Sequence, residues 1–228
     1  MMNKQERDKL IEKYEHWRTY DPNPAEKVGW MDKQDQIGRF LQFLKLESFT
    51  GKSFVGSSVL DVGCGYGAFL EFLIEQLRSN SFYYFGIDIN DKYVERAKET
   101  WGGDVGTVLS SPPLFVHAEF ADYEFHRSFD FVVASGIFNV NAFDSKDRAY
   151  QVIFETVKKM IALATHGVGF NFLSAVLDQG QILTADMVCY DKHKVLDWCK
   201  KQECVKKAVI VEGYDPLDST ILLDTRKM

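Results

Sequence analysis

Val59-Leu60-Asp61-Val62-Gly63-Cys64-Gly65-Tyr66-Gly67-Ala68-Phe69-Leu70 is the stretch on which the fold turns. Ser58 to Val62 reads as a short buried strand, closed by a turn with glycine at every second position. An apolar helix follows, with Phe69, Leu70, Phe72, Leu73, Ile74 and Leu77 on a broad face and Glu71, Glu75 and Gln76 turned to water. Glycine at 63, 65 and 67 admits turn conformations closed to other residues and removes side chains that would bar a ligand. The turn ends at a helix N-terminus, where unpaired N–H groups and the macrodipole favour negative charge. Strand, glycine turn and helix in this order predict a nucleotide-type cofactor site.

Two cofactor classes fit the spacing. Gly63, Gly65 and Ala68 satisfy G-x-G-x-x-G/A, with Asp88 about 20 residues further on, as a dinucleotide site requires. Three features point elsewhere. Asp61 lies inside the strand, two residues before the first glycine, where it meets an ammonium rather than a pyrophosphate. The third glycine falls at G-x-G-x-G spacing. The second strand, Tyr83-Tyr84-Phe85-Gly86-Ile87-Asp88, also ends on a carboxylate. Val59–Leu70 followed by Gly86-Ile87-Asp88-Ile89-Asn90 resembles the first two motifs of the class I S-adenosylmethionine-dependent methyltransferases, over roughly residues 55–225.

That resemblance implies roles. Asp61 would meet the ammonium of S-adenosylmethionine, while the backbone of Gly63, Cys64, Gly65 and Gly67 holds its α-carboxylate. Asp88 would accept hydrogen bonds from both ribose hydroxyls, with Ile89 on the adenine face. Glu119 takes the position that bonds the adenine amino group, with Asp122 as its competitor and Phe120 as the apolar contact beside it. Ala134 and Ser135 end the fourth strand, next to the methionine arm. Ser135-Gly136-Ile137-Phe138-Asn139 and Phe170-Asn171-Phe172-Leu173-Ser174 fall at carboxyl ends of strands, where open sheets bind ligands. With Gly29-Trp30 and Gln36/Arg39-Phe40 they resemble a bacterial-type branch of these enzymes. Tyr20, Trp30, Asn139 and Asn171 are the candidate acceptor contacts. Asn139 stands where many small-molecule methyltransferases carry a histidine, and asparagine orients a nucleophile without removing its proton. His117, His126, Asp122 and Tyr123 are the available bases, and none is assigned.

The rest of the chain bounds the reading. At 228 residues with 46% apolar side chains it builds one large domain, or one domain with a small appendage, with a sizeable core. A net charge of −6 without a Lys/Arg cluster argues against polynucleotide partners. Cys64, Cys189, Cys199 and Cys204 show no metal spacing and are expected reduced, and the five histidines are scattered. The opening MMNKQERDKL is polar and no apolar run spans a bilayer, so a cytoplasmic protein with no membrane contact is expected.

In order, a charged helix over residues 6–20 stops at Asp21-Pro22-Asn23-Pro24, and a second runs from Asp32 to Phe49 with Ile37, Phe40, Leu41, Leu44 and Leu46 inward. Residues 1–53 are expected to form a helical arm that either folds over the cofactor and acceptor side, as the resemblance implies, or covers one face of the sheet, with 54–228 as the S-adenosylmethionine-binding methyltransferase domain. Further strands are expected at 82–88, 114–117, 129–134, 167–173, 205–211 and 219–224. Helices are expected from 90 or 91 to 101, with a stop at Gly102-Gly103, then at 145–164, and from 191 or 193 to 202. Ser174 to Thr184 is a candidate lid. Alternating elements make an α/β, Rossmann-like, mostly parallel seven-stranded sheet with helices on both faces. The Glu212–Asp218 loop is too short for a parallel return, so the last strand runs antiparallel. Methyl transfer to a small-molecule acceptor leads, against a domain that binds S-adenosylmethionine or S-adenosylhomocysteine without catalysis, and against an NAD-dependent oxidoreductase. Oligomeric state is not readable.

Overall fold

Runs rich in β-branched and aromatic residues form the middle of the sheet, because a strand covered by helices on both faces buries most of its side chains. The structure, a computed structural model, describes residues 2–20, 33–102, 111–174 and 186–226, with side chains at 16–20 excluded. The expected lid falls almost wholly outside these residues, as do Gly29-Trp30 and the side chain of Tyr20.

Seven strands, β1 (Ser58–Val62), β2 (Tyr83–Asp88), β3 (Leu114–His117), β4 (Phe129–Ala134), β5 (Ala164–Leu173), β6 (Lys207–Val211) and β7 (Asp218–Asp224), line up as β3-β2-β1-β4-β5-β7-β6. β1 through β5 pair in parallel, and β7 runs antiparallel to both neighbours, slotted between β5 and β6. Among the described residues six helices accompany the sheet: α1 (Lys4–Tyr20), α2 (Lys33–Thr50), α3 (Ala68–Leu77), α4 (Asp91–Trp101), α5 (Lys146–Leu163) and α6 (Lys192–Lys200). The strand order reverses between β1 and β4, the switch point where an open α/β sheet leaves a crevice at its carboxyl edge.

Two apolar layers hold the sheet. On one face α2 and α3 bring Phe40, Phe43, Leu46, Phe69 and Leu73 against Val59, Phe131 and Val133; on the other, α5 brings Ile153, Val157 and Met160 against Leu60, Val132 and Val168. The inward face of α2 is rotated from the expected one. Leu41 is 43% exposed and Phe43 is fully buried, because Gln36, Arg39, Phe40, Phe43, Leu46 and Thr50 share the stripe that meets β5 and β7. Gly102 ends α4 as expected, but in right-handed conformation, where a Cβ would strike the Lys98 carbonyl. Among the described residues no helix is long and apolar enough to cross a membrane, and no cluster of His, Cys, Asp and Glu is arranged to hold a metal.

Candidate functional site

Gly63, Gly65 and Gly67 have φ of 75°, 52° and 85°, left-handed backbone that glycine adopts without strain. Space is as demanding as conformation. A Cβ on Gly63 would run into the Ile137 side chain, and one on Gly67 would come within 2.6 Å of Trp101 Nε1. The turn is stitched to β2: the N–H groups of Gly63 and Cys64 donate to the Ile87 carbonyl at 2.8 and 3.2 Å, and that of Gly65 donates to Asp88 Oδ2 at 2.9 Å. α4, α5 and α6 each start on a side-chain cap, from Asn90, Ser145 and Asp191. α3 starts on Gly67 with none, so its first N–H groups face the crevice without a protein acceptor side chain.

The crevice holds a cavity of about 560 Å³, of the size that takes a small ligand. Asp61, Gly63, Cys64, Gly65, Gly67, Asp88, Ile89, Glu119, Phe120, Ser135 and Asn139 all line it. Ala134 is fully buried and does not border the cavity. Asn171 is fully buried too, and its work is local: Oδ1 accepts from the Gly136 N–H at 2.9 Å and Nδ2 donates to Ser135 Oγ at 3.1 Å. It thereby shapes the turn after β4. Asn139 is also committed, its Oδ1 accepting from the Leu173 N–H at 3.1 Å.

Three carboxyl groups stand along the wall. Asp61, 3% exposed, accepts from the Tyr84 hydroxyl. Burial pushes its pKa to about 7; the Tyr84 bond opposes that rise and the Asp88 charge adds to it. Burial also raises Asp88, against the lowering effect of N–H bonds from Asn90 and Gly65. Glu119 is raised by burial as well; Oε1 accepts from the Ala121 N–H at 3.4 Å, while Oε2 is buried with no partner among the described residues. Lys159 of α5 pins the loop carrying Glu119, donating to the carbonyls of Phe120, Ala121 and Tyr123 at 2.7, 2.9 and 2.7 Å.

These features suit an adenosyl ligand with a zwitterionic tail. Asp61 could meet a cation, the uncapped α3 terminus an anion, Asp88 a pair of hydroxyls, and the Glu119 Oε2 an amino donor. Asp122, the alternative to Glu119, instead pairs with Arg7 at 2.6 Å and does not border the cavity. His117, His126 and Tyr123 do not border it either. Sequence reasoning passed over Tyr14, Tyr66 and Tyr93, which also line the cavity. Tyr14 falls at helical spacing with Leu10, Ile11 and Trp17 in the charged first helix, and nothing in a helical period separates a packing ring from a ligand wall.

Several known proteins are similar to this chain. A family described as "Methyltransferase domain" matches residues 59–160. "Putative methyltransferase Rv1506c" of Mycobacterium tuberculosis is 30% identical over 167 residues, covering 73% of this chain and 92% of its own. Magnesium protoporphyrin IX methyltransferase from Synechocystis PCC 6803, crystallised with bound SAH, superposes with a TM-score of 0.64 at 15% identity, over 97% of this chain and 98% of its own. N-methyltransferase NodS from Bradyrhizobium japonicum WM9, in complex with S-adenosyl-L-homocysteine, gives 0.59 at 14%, over 96% and 100%. At those identities the two solved structures speak to the fold alone.

Proposed function

This chain belongs to the class I S-adenosylmethionine-dependent methyltransferases, and we propose that it transfers the donor's methyl group to a small-molecule acceptor held in the cavity beside Ile137 and Asn139. One observation carries this reading: Asp61, next to last in β1, and Asp88, last in the adjacent parallel β2, line the same cavity as Ala68 and Phe69 at the uncapped start of α3. The donor supplies a methyl already activated on a sulfonium, so the protein's task is to hold two molecules in line. Asp61 holds the ammonium, Asp88 the ribose, and Glu119 with Phe120 and Ile89 the adenine. Residues 1–53 act as an arm over this site: Met2, Leu10 and Tyr14 of its first part and Gln36, Arg39 and Phe40 of its second line the cavity. The magnesium protoporphyrin IX methyltransferase acts, by its name, on a small molecule, and the net charge of −6 disfavours nucleic acid.

Calorimetric titration with S-adenosylhomocysteine and, separately, NAD tests the donor site. Binding of the first and not the second is expected, and Asp88→Ala should weaken it on the order of tenfold to a hundredfold. Tight NAD binding without S-adenosylhomocysteine binding would reverse the assignment. Incorporation of labelled methyl groups into a cell-extract metabolite tests transfer. Binding without incorporation would favour a donor-sensing role, a reading that the committed Asn139 oxygen supports.

A further inference from the structure

We propose that Tyr84 is a positioning residue for the methyl donor: its hydroxyl fixes the Asp61 carboxylate so that the other oxygen faces the donor's ammonium. This rests on the donor reading above and adds a residue that does not itself border the cavity. Asp61 is paired with Gly86 across β1 and β2, and Tyr84 lies two residues before Gly86 on the same sheet face. No side chain of β2 stands between phenol and carboxylate. The Tyr84 hydroxyl donates to Asp61 Oδ2, which leaves Oδ1 without a hydrogen bond from the described residues on a side chain that lines the cavity.

A packing role alone does not require the oxygen. The Tyr84 ring packs against Phe115, with centroids 5.7 Å apart, and a phenylalanine would make that contact as well. A hydroxyl beside a buried carboxyl is useful where that carboxyl must stay ionised and in one rotamer. Apart from Tyr84, the titratable group that acts on Asp61 is Asp88, which raises its pKa. Asp88 on β2 is like-charged, and burial raises the Cys64 thiol of the turn so that it stays neutral. β4 presents Val133, and Arg39 of α2 is held by Asp218. Among these neighbours Tyr84 is the one whose bond lowers the Asp61 pKa.

The test compares wild type, Tyr84→Phe, Asp61→Asn and the double variant by calorimetry, from about pH 6 to about pH 8.5. The ligands are S-adenosylhomocysteine and 5′-methylthioadenosine, which has the adenosine and thioether but no amino-acid tail. Wild-type affinity for the first should fall as pH drops through about 7, where Asp61 takes up a proton. Without the phenol that fall should begin at higher pH, and near pH 7 Tyr84→Phe should weaken S-adenosylhomocysteine about tenfold. Methylthioadenosine should change less than about twofold, well under the cost of one lost bond. In Asp61→Asn the pH dependence should vanish and Tyr84→Phe should add nothing. Equal losses for both ligands, or an unmoved pH profile, would overturn the inference. Asp61→Asn keeps it falsifiable should Tyr84→Phe not fold, since a persistent pH dependence there also overturns it. If wild type bound neither ligand the donor reading would fall first; if it bound both and Tyr84→Phe were silent, only this inference would.

Discussion

Asp61, Asp88 and Glu119 are raised together because one cavity wall buries three carboxyl groups. For Asp61 the sign is definite. Its folded pKa, about 7, lies above the unfolded value of 3.8, so the folded state holds the proton more tightly. The resulting stability is full below the unfolded pKa and is lost as pH rises through about 7. Asp61→Asn should therefore raise the melting temperature of the ligand-free protein by several degrees near pH 8, and by little near pH 4, while weakening S-adenosylhomocysteine binding. Thermal scans across pH check both arms; a gain at acid pH alone would contradict them. The site pays in stability for a charge that its ligand neutralises. Asp61 and Asp88 were legible in the sequence because an acid within an apolar strand demands a reason. Tyr84 was not, since a phenol in a buried run reads the same whether or not its oxygen is used.

At the scale of elements, α2 is tied to the sheet by a buried charge. Arg39 donates from Nε to Asp218, the first residue of β7, whose side chain is wholly buried, and Asp215 lies 3.9 Å from the same guanidinium. Burial lifts Asp218 to about 6 and Arg39 counters that rise. Arg39→Ala would strand the carboxylate, at a cost of about 3–5 kcal/mol. Arg39→Met combined with Asp218→Asn should recover most of it, which urea unfolding at neutral pH can measure. Most strand limits were readable to within three residues, because a doubly covered strand is an unbroken apolar run. The face of α2 was harder. Its stripe includes Gln36 and Arg39, polar letters that a hydrophobic period discards, and the remaining apolar letters point to Leu41 in place of Phe43.

Across the whole molecule, α1 spans the carboxyl edge of the sheet on charged contacts. Asn3 and Glu6 cap its start reciprocally, at 2.9 and 2.7 Å, and Glu6 also takes both Nε and Nη2 of Arg148, at 2.7 and 2.8 Å. Arg7–Asp122 and Lys13–Asp186, each at 2.6 Å, and Lys9–Asp144 at 3.2 Å extend the seam, and Glu15 pairs with Lys92. The exposed pairs among these, Glu6–Arg148 apart, contribute at most about 1 kcal/mol each and weaken in salt. Release of S-adenosylhomocysteine should accordingly quicken several-fold between about 0.05 M and about 1 M NaCl. Arg148→Met, which leaves the Asn3–Glu6 cap intact, should reproduce part of that effect at low salt in stopped-flow displacement. An unchanged release rate would mean that α1 does not gate the ligand. The reversed last strand was inferable from a short loop, but its slot between β5 and β6 was not. Sheet order is decided by pairings some fifty residues apart in the chain, Gly167 with Asp224 among them, and no local pattern records them.

That slot governs how the protein can be made. On the ribosome β1 to β5 are complete before β7 has been synthesised, so the outer margin of β5 waits with open N–H and C=O groups. Arg39 waits as well, for a counter-ion almost 180 residues downstream. A nascent chain in this state presents a sticky border to its neighbours, and assembly closes only when the final hairpin arrives and wedges into place. Chaperone demand in the cell should therefore be set by the arrival of β7, far from the glycine turn that opens the sheet.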